Sequence, residues 1–477
     1  MSNGPISSID SGTPPFHAIT GPVHFIGICG KGMSSLAVAL HRAGIPITGS
    51  DEPTAYGEPV ALLEAEGISF RREFHPDHLI GAAKVVISRQ YSRGNLEVEA
   101  VLAGQIPYYS LPQFLLEHFL HGKKNLVVAG TKGKTTTTTM LAWILEQEGL
   151  SPGYLIGGVP KNVMPPGRFP GQGLNVIEGD DYETLFWDHS PKFAYYRPST
   201  VLLTNVYPDH PEYHQGDESS LGHFRTLICQ MPANGLLLTG DDGPLTRQVA
   251  EMAPCKRQRV GFEESADIRI SNWNQEVNGI YFTLDRTEFF LPITGRHNAL
   301  NAAMAAVAAE HHGVPLAHSA THLSTFQGVQ GRQDLVGSRR GIDLYRDLAY
   351  LPESLLLVQE NFRLRYPDRR LVLLYQPFIV NGLPGKDSEL SVAMSQFDLV
   401  LLADVFKPVL CAPVNPGFSD TVHGMLVARA TPTHRVGAVE SWTQSVPPRL
   451  VPGDVVLAIA HPKVQPLLDH VVEAFAH

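Results

Sequence analysis

The chain has 477 residues, enough for about three domains of ordinary size. Its apolar residues at 43 % and charged residues at 18 % describe a globular protein and exclude extended disorder. A net charge of -10 without any basic run excludes a nucleic-acid surface, and no apolar run reaches the roughly 18 residues of a membrane span.

Residues 1–21 read as a lead-in that lacks the basic start and apolar run of a signal peptide. Cys29, Cys229, Cys255 and Cys411 are scattered without metal or disulfide spacing, as suits a reducing, cytoplasmic setting. V-H-F-I-G-I (23–28) predicts the first strand of a nucleotide-binding βαβ unit. Gly27, Gly30 and Gly32 follow it, then a helix over 33–43 and a second strand ending at Asp51. These glycines fall as G-x-x-G-x-G, whereas the dinucleotide fingerprint is G-x-G-x-x-G. An acid about 20 residues on suits a ribose hydroxyl, so NAD and a nucleotide-carrying substrate both remain open. Lys84–Ser88 predicts another strand and 92–103 turns into a helix. Pro107 and Pro112 precede a helix that ends near His121-Gly122, which places a first domain at 1–121.

The second domain, 122–333, opens on N-L-V-V-A-G-T-K-G-K-T-T-T-T-T-M (125–140). An apolar run from Leu126 to Ala129 reads as a buried strand, breaks at Gly130, and resumes as a helix. Strand, glycine turn and helix N-terminus together hold a phosphate, because backbone N–H groups and the positive helix end converge on the anion. Gly130, Thr131, Lys132, Gly133, Lys134, Thr135 and Thr136 form this turn. Lys134 adds a point charge and the Thr135 hydroxyl is a Mg²⁺ ligand candidate. The spacing is two residues shorter than G-x-x-x-x-G-K-[ST], which wants glycine where Val128 stands. Five consecutive threonines are nevertheless poor helix filler unless the segment acts at its N-terminus, and we read a nucleoside triphosphate site.

Further on, 174–183 predicts a strand ending in carboxylates, and 200–214 a strand ending in Asn205, Asp209 and His210. In a parallel sheet both ends lie beside the phosphate loop, so Glu178 and His210 complete a Mg²⁺ environment with Thr135; read alone, each is equally a solvated turn residue. The region 267–293 alternates in short pieces and suggests a small antiparallel appendage, and 295–309 an alanine-rich helix. On that helix His297, Asn298 and Asn301 suit a base edge, although one of them suffices as a cap. The third domain, 334–477, carries buried-strand patterns at 370–375, 397–403 and 454–460, with helices at 352–366, 419–430 and 464–475. This is again an α/β pattern with a mostly parallel sheet.

Taken together, G-I-C-G-K-G-M (27–33), A-G-T-K-G-K-T-T-T (129–137), E-G-D-D-Y-E (178–183), N-V-Y-P-D-H (205–210), G-R-H-N-A-L-N-A (295–302) and F-Q-G-V-Q-G-R (326–332) resemble the Mur ligases. These are three-domain, ATP-dependent amide-bond formers of peptidoglycan precursor synthesis, and the resemblance covers essentially the whole chain. R-G-N-L-E-V-E-A-V-L (93–102), P-G-Y-L-I-G-G-V-P-K-N (152–162) and K-F-A-Y-Y-R-P (192–198) are most similar to one branch, which joins UDP-N-acetylmuramate to L-alanyl-γ-D-glutamyl-meso-diaminopimelate.

The resemblance implies a Rossmann-like first domain in which Gly27, Gly30, Lys31, Gly32 and Met33, with Asp51, bind a UDP-sugar in place of NAD. It implies ATP and Mg²⁺ on Lys134, Thr135, Glu178 and His210, and His297, Asn298 and Asn301 near the adenine. Arg332 matches an arginine at the hinge into the third domain, and Asp347 an aspartate that reaches the nucleotide on closure. Partners would be the UDP-sugar and an amino acid or peptide, on a monomer or weak homodimer.

The family pattern breaks in three places. Lys132 stands where histidine is usual; R-D-L-A-Y-L-P (346–352) has Tyr350 and Leu351 in place of two histidines; and Q-P-F-I (376–379) lacks the family's cation. The branch's glycine-rich turn is A-H-P-K-V-Q-P (460–466) here, and Arg346, Lys386 and Lys463 are the nearby substitute cations. The last two breaks and the altered turn fall in the domain expected to receive the amine, which leaves the tripeptide, L-alanine, another amine, or a non-catalytic binding role open. An NAD-dependent oxidoreductase fused to an NTPase is the remaining enzyme reading.

Overall fold

The computed structural model describes residues 19–55, 57–206, 217–240, 243–378, 387–406, 417–461, 464 and 467–475. Three mainly parallel sheets with flanking helices make it an α/β protein. In the first sheet the order is Ile47–Ser50, Val23–Ile26, Lys84–Ile87, Tyr108–Ser110, all parallel. The chain leaves Val23–Ile26 toward one side and later returns on the other. Between the ends of Val23–Ile26 and Lys84–Ile87 this reversal opens a crevice, the place where open α/β sheets hold ligands. The two inner strands are mostly apolar and, apart from Lys84, buried, as expected of strands covered on both faces.

The largest sheet is centred on Lys124–Ala129, flanked by Leu174–Gly179 and Pro198–Leu203, with Gly153–Leu155 and Leu236–Thr239 beyond; these five run parallel. At one end Lys256–Gly261 continues the parallel order, and Ile268–Glu276, Gly279–Leu284 and Thr287–Leu291 extend it as an antiparallel meander. The antiparallel appendage read at 267–293 is therefore present, and it is a continuation of the large sheet rather than a separate one. Helix Lys134–Gln147 packs against Arg296–His311 and Leu174–Gly179 through Met140, Leu141, Ile144 and Leu145, all fully buried. Its threonines are reconciled with helical geometry by back-bonding: Thr138 and Thr139 donate to the carbonyls of Lys134 and Thr135, at 2.8 and 2.7 Å.

The third sheet runs Asp334–Arg339, Ile342–Asp347, Val455–Ile459, Leu371–Tyr375, Leu399–Ala403, Thr433–Gly437, parallel except for the first strand. Three of its strands match the sequence patterns at 370–375, 397–403 and 454–460. The hairpin Asp334–Asp347, the strand Thr433–Gly437 and the helix Asp387–Met394 do not appear in those patterns. No described helix is long and apolar enough to cross a membrane.

The first and central sheets are locked by helix Lys31–Arg42, which lies on the edge strand Gly167–Arg168. Ser35 donates to the Ile156 carbonyl at 3.1 Å, and a Cβ at Gly167 would strike the Ser35 carbonyl. The central and third sheets are joined through Gln333 and Asp334. Gln333 is left-handed, with φ of 48°; its side-chain oxygen accepts from Asn361 at 2.5 Å. Asp334 accepts from Lys161 on one side at 2.5 Å and from Arg346 on the other at 2.7 and 2.8 Å. These two ion pairs hold the Asp334 carboxyl below the usual carboxylate range even though burial opposes them.

Candidate active site

The C-terminal ends of strands from all three sheets face one cleft of about 2200 Å³. Its floor is the phosphate loop. Gly130 and Gly133 have φ of 128° and 88°. A Cβ on Gly133 would lie 2.8 Å from the Asn301 side-chain oxygen, so the loop can only turn here with glycine.

Two residues at the end of the neighbouring strand clamp this loop. The Lys132 N–H donates to Asn205 Oδ1 at 2.8 Å, while Asn205 Nδ2 donates to the Lys132 carbonyl at 3.0 Å. The Thr131 N–H donates to the Asn205 carbonyl at 3.0 Å, and the Thr204 hydroxyl donates to Lys132 O at 2.6 Å. The Lys134 ammonium folds back on the loop, donating to the Gly130 carbonyl at 2.6 Å and to that of Thr131 at 3.4 Å. Thr136 lines the cleft beside it.

The Thr135 hydroxyl donates to Glu178 Oε1 at 2.8 Å, and the Gly157 N–H to Glu178 Oε2 at 2.7 Å. Burial and the neighbouring Asp180 carboxylate push the Glu178 carboxyl up, against the pull of Lys134 and these hydrogen bonds. Two oxygen donors facing the cleft beside an ammonium suit a hard cation that completes its shell with phosphate and water. His210 lies outside the described residues, as does Asp209. Among the described residues no cluster of three or more His, Cys, Asp or Glu forms a metal cage.

On the far wall His297, Asn298 and Asn301 come together as the sequence suggested. Asn298 Nδ2 donates to the Thr294 carbonyl at 2.7 Å and Asn301 Nδ2 to Asn298 Oδ1 at 3.3 Å. Burial pushes the His297 imidazole down to about 4, so the ring is neutral near pH 7. Arg332 and Asp347 also line the cleft. Asp347 is 5 % exposed and accepts from the Gln333 N–H at 2.8 Å. Burial pushes its carboxyl up, and the Arg332 charge pulls the other way.

At the first sheet, Gly30, Lys31, Gly32 and Met33 reach the cleft together with Ser88, Arg89 and Gln90 from the opposite side of the crevice. Gly27 and Asp51 do not line it. Gly27 has φ of 82°, and a Cβ there would meet that of Ser88 at 2.7 Å, so it serves the turn. Asp51 is turned into the protein: it accepts from the Cys29 N–H at 2.7 Å, the Tyr91 hydroxyl at 2.7 Å and the Glu52 N–H at 2.8 Å. These bonds tie the carboxylate to the glycine loop and to Tyr91. Arg346, read as a substitute cation, is bound to Asp334, and Lys386 and Lys463 lie outside the described residues.

Several cleft residues escaped the sequence reading. Asn205 was read only as the end of a strand, yet it holds the phosphate loop. Lys192 pairs with Asp180 at 3.1 Å, and Arg89 lies over the Tyr182 ring at 4.8 Å. The segments 178–183 and 192–198 carried the signal for these, but only the pairing across the hairpin brings them together.

Comparison with known proteins agrees with this geometry. Residues 22–122 match the model of the "Mur ligase family, catalytic domain" and 188–309 that of the "Mur ligase middle domain". The chain is 32 % identical over 430 residues to UDP-N-acetylmuramate–L-alanyl-gamma-D-glutamyl-meso-2,6-diaminoheptandioate ligase of Haemophilus influenzae, covering 87 % of this chain and 94 % of that one. It is also 32 % identical over 403 residues to UDP-N-acetylmuramate–L-alanine ligase of Bdellovibrio bacteriovorus, covering 83 % and 86 %. A crystal structure of a murein peptide ligase from Psychrobacter arcticus superposes with a TM-score of 0.70 at 25 % identity, covering 95 % of this chain and 99 % of the other. With this likeness along nearly its whole length, the chain belongs to the Mur ligase family of ATP-dependent ligases.

Proposed function

We propose that the protein joins the carboxylate of UDP-N-acetylmuramate to the amine of a peptide or amino acid, with ATP converted to ADP and phosphate. In this reading residues 1–121 bind the UDP-sugar, 122–333 bind ATP, and 334–477 receive the amine. The observation that carries it is the convergence of the phosphate loop and the Gly30–Met33 loop on one cleft, as transfer of a phosphoryl group to a bound carboxylate requires.

A carboxylate oxygen attacks the γ-phosphorus and ADP leaves, giving an acyl phosphate. The amine nitrogen then attacks the acyl carbon, loses a proton, and phosphate departs with the bonding electrons. Lys134 and the loop N–H groups supply the positive field at the transferring group, and most of the catalysis is positioning. Thr135 and Glu178 would hold Mg²⁺, which supplies neutralisation of phosphate charge; His210 is the further ligand suggested by the sequence. His297, Asn298 and Asn301, which line the same cleft, would read the adenine edge. Arg332 and Asp347, on either side of Gln333, couple closure of the third sheet to the nucleotide, which also excludes water from the acyl phosphate. A monomer or weak homodimer working in the cytoplasm is the accompanying expectation.

The test is phosphate release with ATP and Mg²⁺, with product read by mass. Release that requires both UDP-N-acetylmuramate and an amine, with a product heavier by the amine less water, is expected. Turnover indifferent to the UDP-sugar, or tighter binding of NAD⁺ than of UDP-N-acetylmuramate by calorimetry, would overturn the reading.

A further inference from the structure

The stretch that leads into the third sheet is zipped to a segment that ends at the phosphate loop. Residues 157–162 run antiparallel to 325–331. The Gln330 N–H donates to the Val159 carbonyl at 2.9 Å and the Lys161 N–H to the Gly328 carbonyl at 3.0 Å, on either side of the Pro160–Val329 bridge. Asn162 closes the far end: its Oδ1 accepts from the Gln327 N–H at 2.6 Å, and its Nδ2 donates to the Thr325 carbonyl at 3.0 Å. At the near end the ribbon rests on the site. The Gly157 N–H donates to Glu178 Oε2 at 2.7 Å, and a Cβ there would lie 3.0 Å from that oxygen. A Cβ on Gly158 would lie 2.8 Å from Thr135 Cγ2 and 3.2 Å from Val329 Cγ1. Val329, Gly158 and Thr135 are therefore stacked without spare room. Layers packed this closely transmit a displacement instead of absorbing it, so a shift of the linker reaches the Thr135–Glu178 pair.

Lys161 leaves this ribbon toward the third sheet and lines the cleft. Its ammonium donates to Asp334 Oδ1 at 2.5 Å. The other oxygen, Asp334 Oδ2, accepts from the Gly331 N–H at 3.3 Å and from the Arg346 guanidinium at 2.7 and 2.8 Å. One buried carboxylate thus gathers a donor from the central sheet's side, one from the linker and one from the strand Ile342–Asp347. The residues next to these partners are joined as well, the Gln333 N–H donating to Asp347 Oδ2 at 2.8 Å. Removing one partner of a buried ion pair leaves a charge without compensation, so the junction resists opening while Lys161 is in place.

We infer that Lys161 is a positioning residue for the ligation: its ion pair with Asp334 fixes the third sheet over the phosphate loop, and the ribbon passes that position to Glu178 and Thr135. This rests on the amide-ligase reading above and adds the residue that keeps the two half-reactions coupled. An acyl phosphate beneath a third sheet held in this way meets the amine. With the ion pair gone it meets water as well. The water oxygen attacks the acyl carbon and gives up its protons to solvent, and phosphate departs with the bonding electrons. The original carboxylate is recovered, and ATP is consumed without an amide being formed.

The full chain and its Lys161→Met and Lys161→Arg variants are assayed with ATP, Mg²⁺ and UDP-N-acetylmuramate. The amines are L-alanine, the other standard amino acids and L-alanyl-γ-D-glutamyl-meso-diaminopimelate. UDP-sugar-dependent phosphate release and amide, read by mass, are measured in the same mixture, so that their ratio is independent of the folded fraction. Lys161→Met should release about threefold or more phosphate per amide than the parent does with the same amine. Lys161→Arg, which keeps the ion pair, should return the ratio close to the parent's. A residue that only stabilised the fold would lower the rate or the melting temperature and leave the ratio unmoved. An unchanged ratio in Lys161→Met, an arginine variant as uncoupled as the methionine one, or a parent that itself releases phosphate without amide in every mixture would overturn this inference alone. Absence of UDP-sugar-dependent phosphate release by the parent in every mixture would overturn the ligase reading with it.

Discussion

The central and third sheets present strand ends to the same cleft but furnish them by different means. At the central sheet, backbone and side-chain hydrogen bonds to Asn205 and Thr204 hold a cationic loop. At the third, the rings of Tyr350, Phe378 and His461 pack on one another. The first arrangement specifies where a triphosphate must sit to within a hydrogen-bond length. The second offers shape and apolar area, a kind of surface that is tolerant of substitution. Two elements of one cleft are thus built for different degrees of stringency, and the phosphate end is where substitutions should cost most.

The sharpest test of that contrast is Lys134→Ala. It removes the ammonium aimed at the phosphates, and turnover should fall by roughly 10²–10³ or more. Circular dichroism and melting temperature should stay close to the parent, since Lys134 bonds only to loop carbonyls. Activity within threefold of the parent would remove the loop from the chemistry. Next in size is Asn205→Ala, which removes the acceptor of the Lys132 N–H and one of two donors to the Lys132 carbonyl, the Thr204 hydroxyl remaining. A loss of about 1–3 kcal/mol is expected, read as a fall in kcat/KM for ATP of roughly tenfold to a hundredfold.

A smaller effect joins the two regions. Lys132 Nζ lies 5.4 Å from the centre of the Tyr350 ring, so the cation that replaces the family's histidine touches the phenol that replaces another. A double-mutant cycle of Lys132→Ala and Tyr350→Ala on the KM for ATP should give a coupling of about 0.5–1 kcal/mol. Additive single effects would show that the contact is idle. The smallest effect concerns pH. The folded His297 has its pKa lowered from 6.5 to about 4, so its stability contribution is intact above pH 6.5. Between 6.5 and 4 the unfolded chain takes up a proton that the folded chain refuses, and stability falls as pH falls through that window. His297→Asn should flatten the fall by roughly 1–3 °C in melting temperature, while leaving the curve above it unchanged in shape.

How far this architecture was legible depended on the kind of signal. Continuous apolar runs such as 126–129, 371–375, 399–403 and 455–459 announce buried parallel strands, because both faces are covered. Thr433–Gly437 and Asp334–Arg339 escaped because they are sheet edges whose side chains are largely polar or exposed. At the site, the glycine–lysine turn was legible because a phosphate needs a particular local geometry. Asn205 was not, since its role appears only when a strand 75 residues on pairs beside the loop, Thr204 reaching Ala129 O at that separation. For Asp51 the spacing from the glycines was legible, whereas its bond from Tyr91, 40 residues later, was not. The contact of Tyr350, Phe378 and His461 left only a trace, three isolated departures that meet once the strands line up.

The Lys134 ammonium has a further consequence. It donates to the Gly130 and Thr131 carbonyls, so a triphosphate that takes it up must compete with acceptors of the loop itself. Binding is an exchange in which one acceptor is released as another is taken up, and the heat evolved reports only the difference. The affinity of such a loop is set by how well a ligand competes with the loop's own carbonyls.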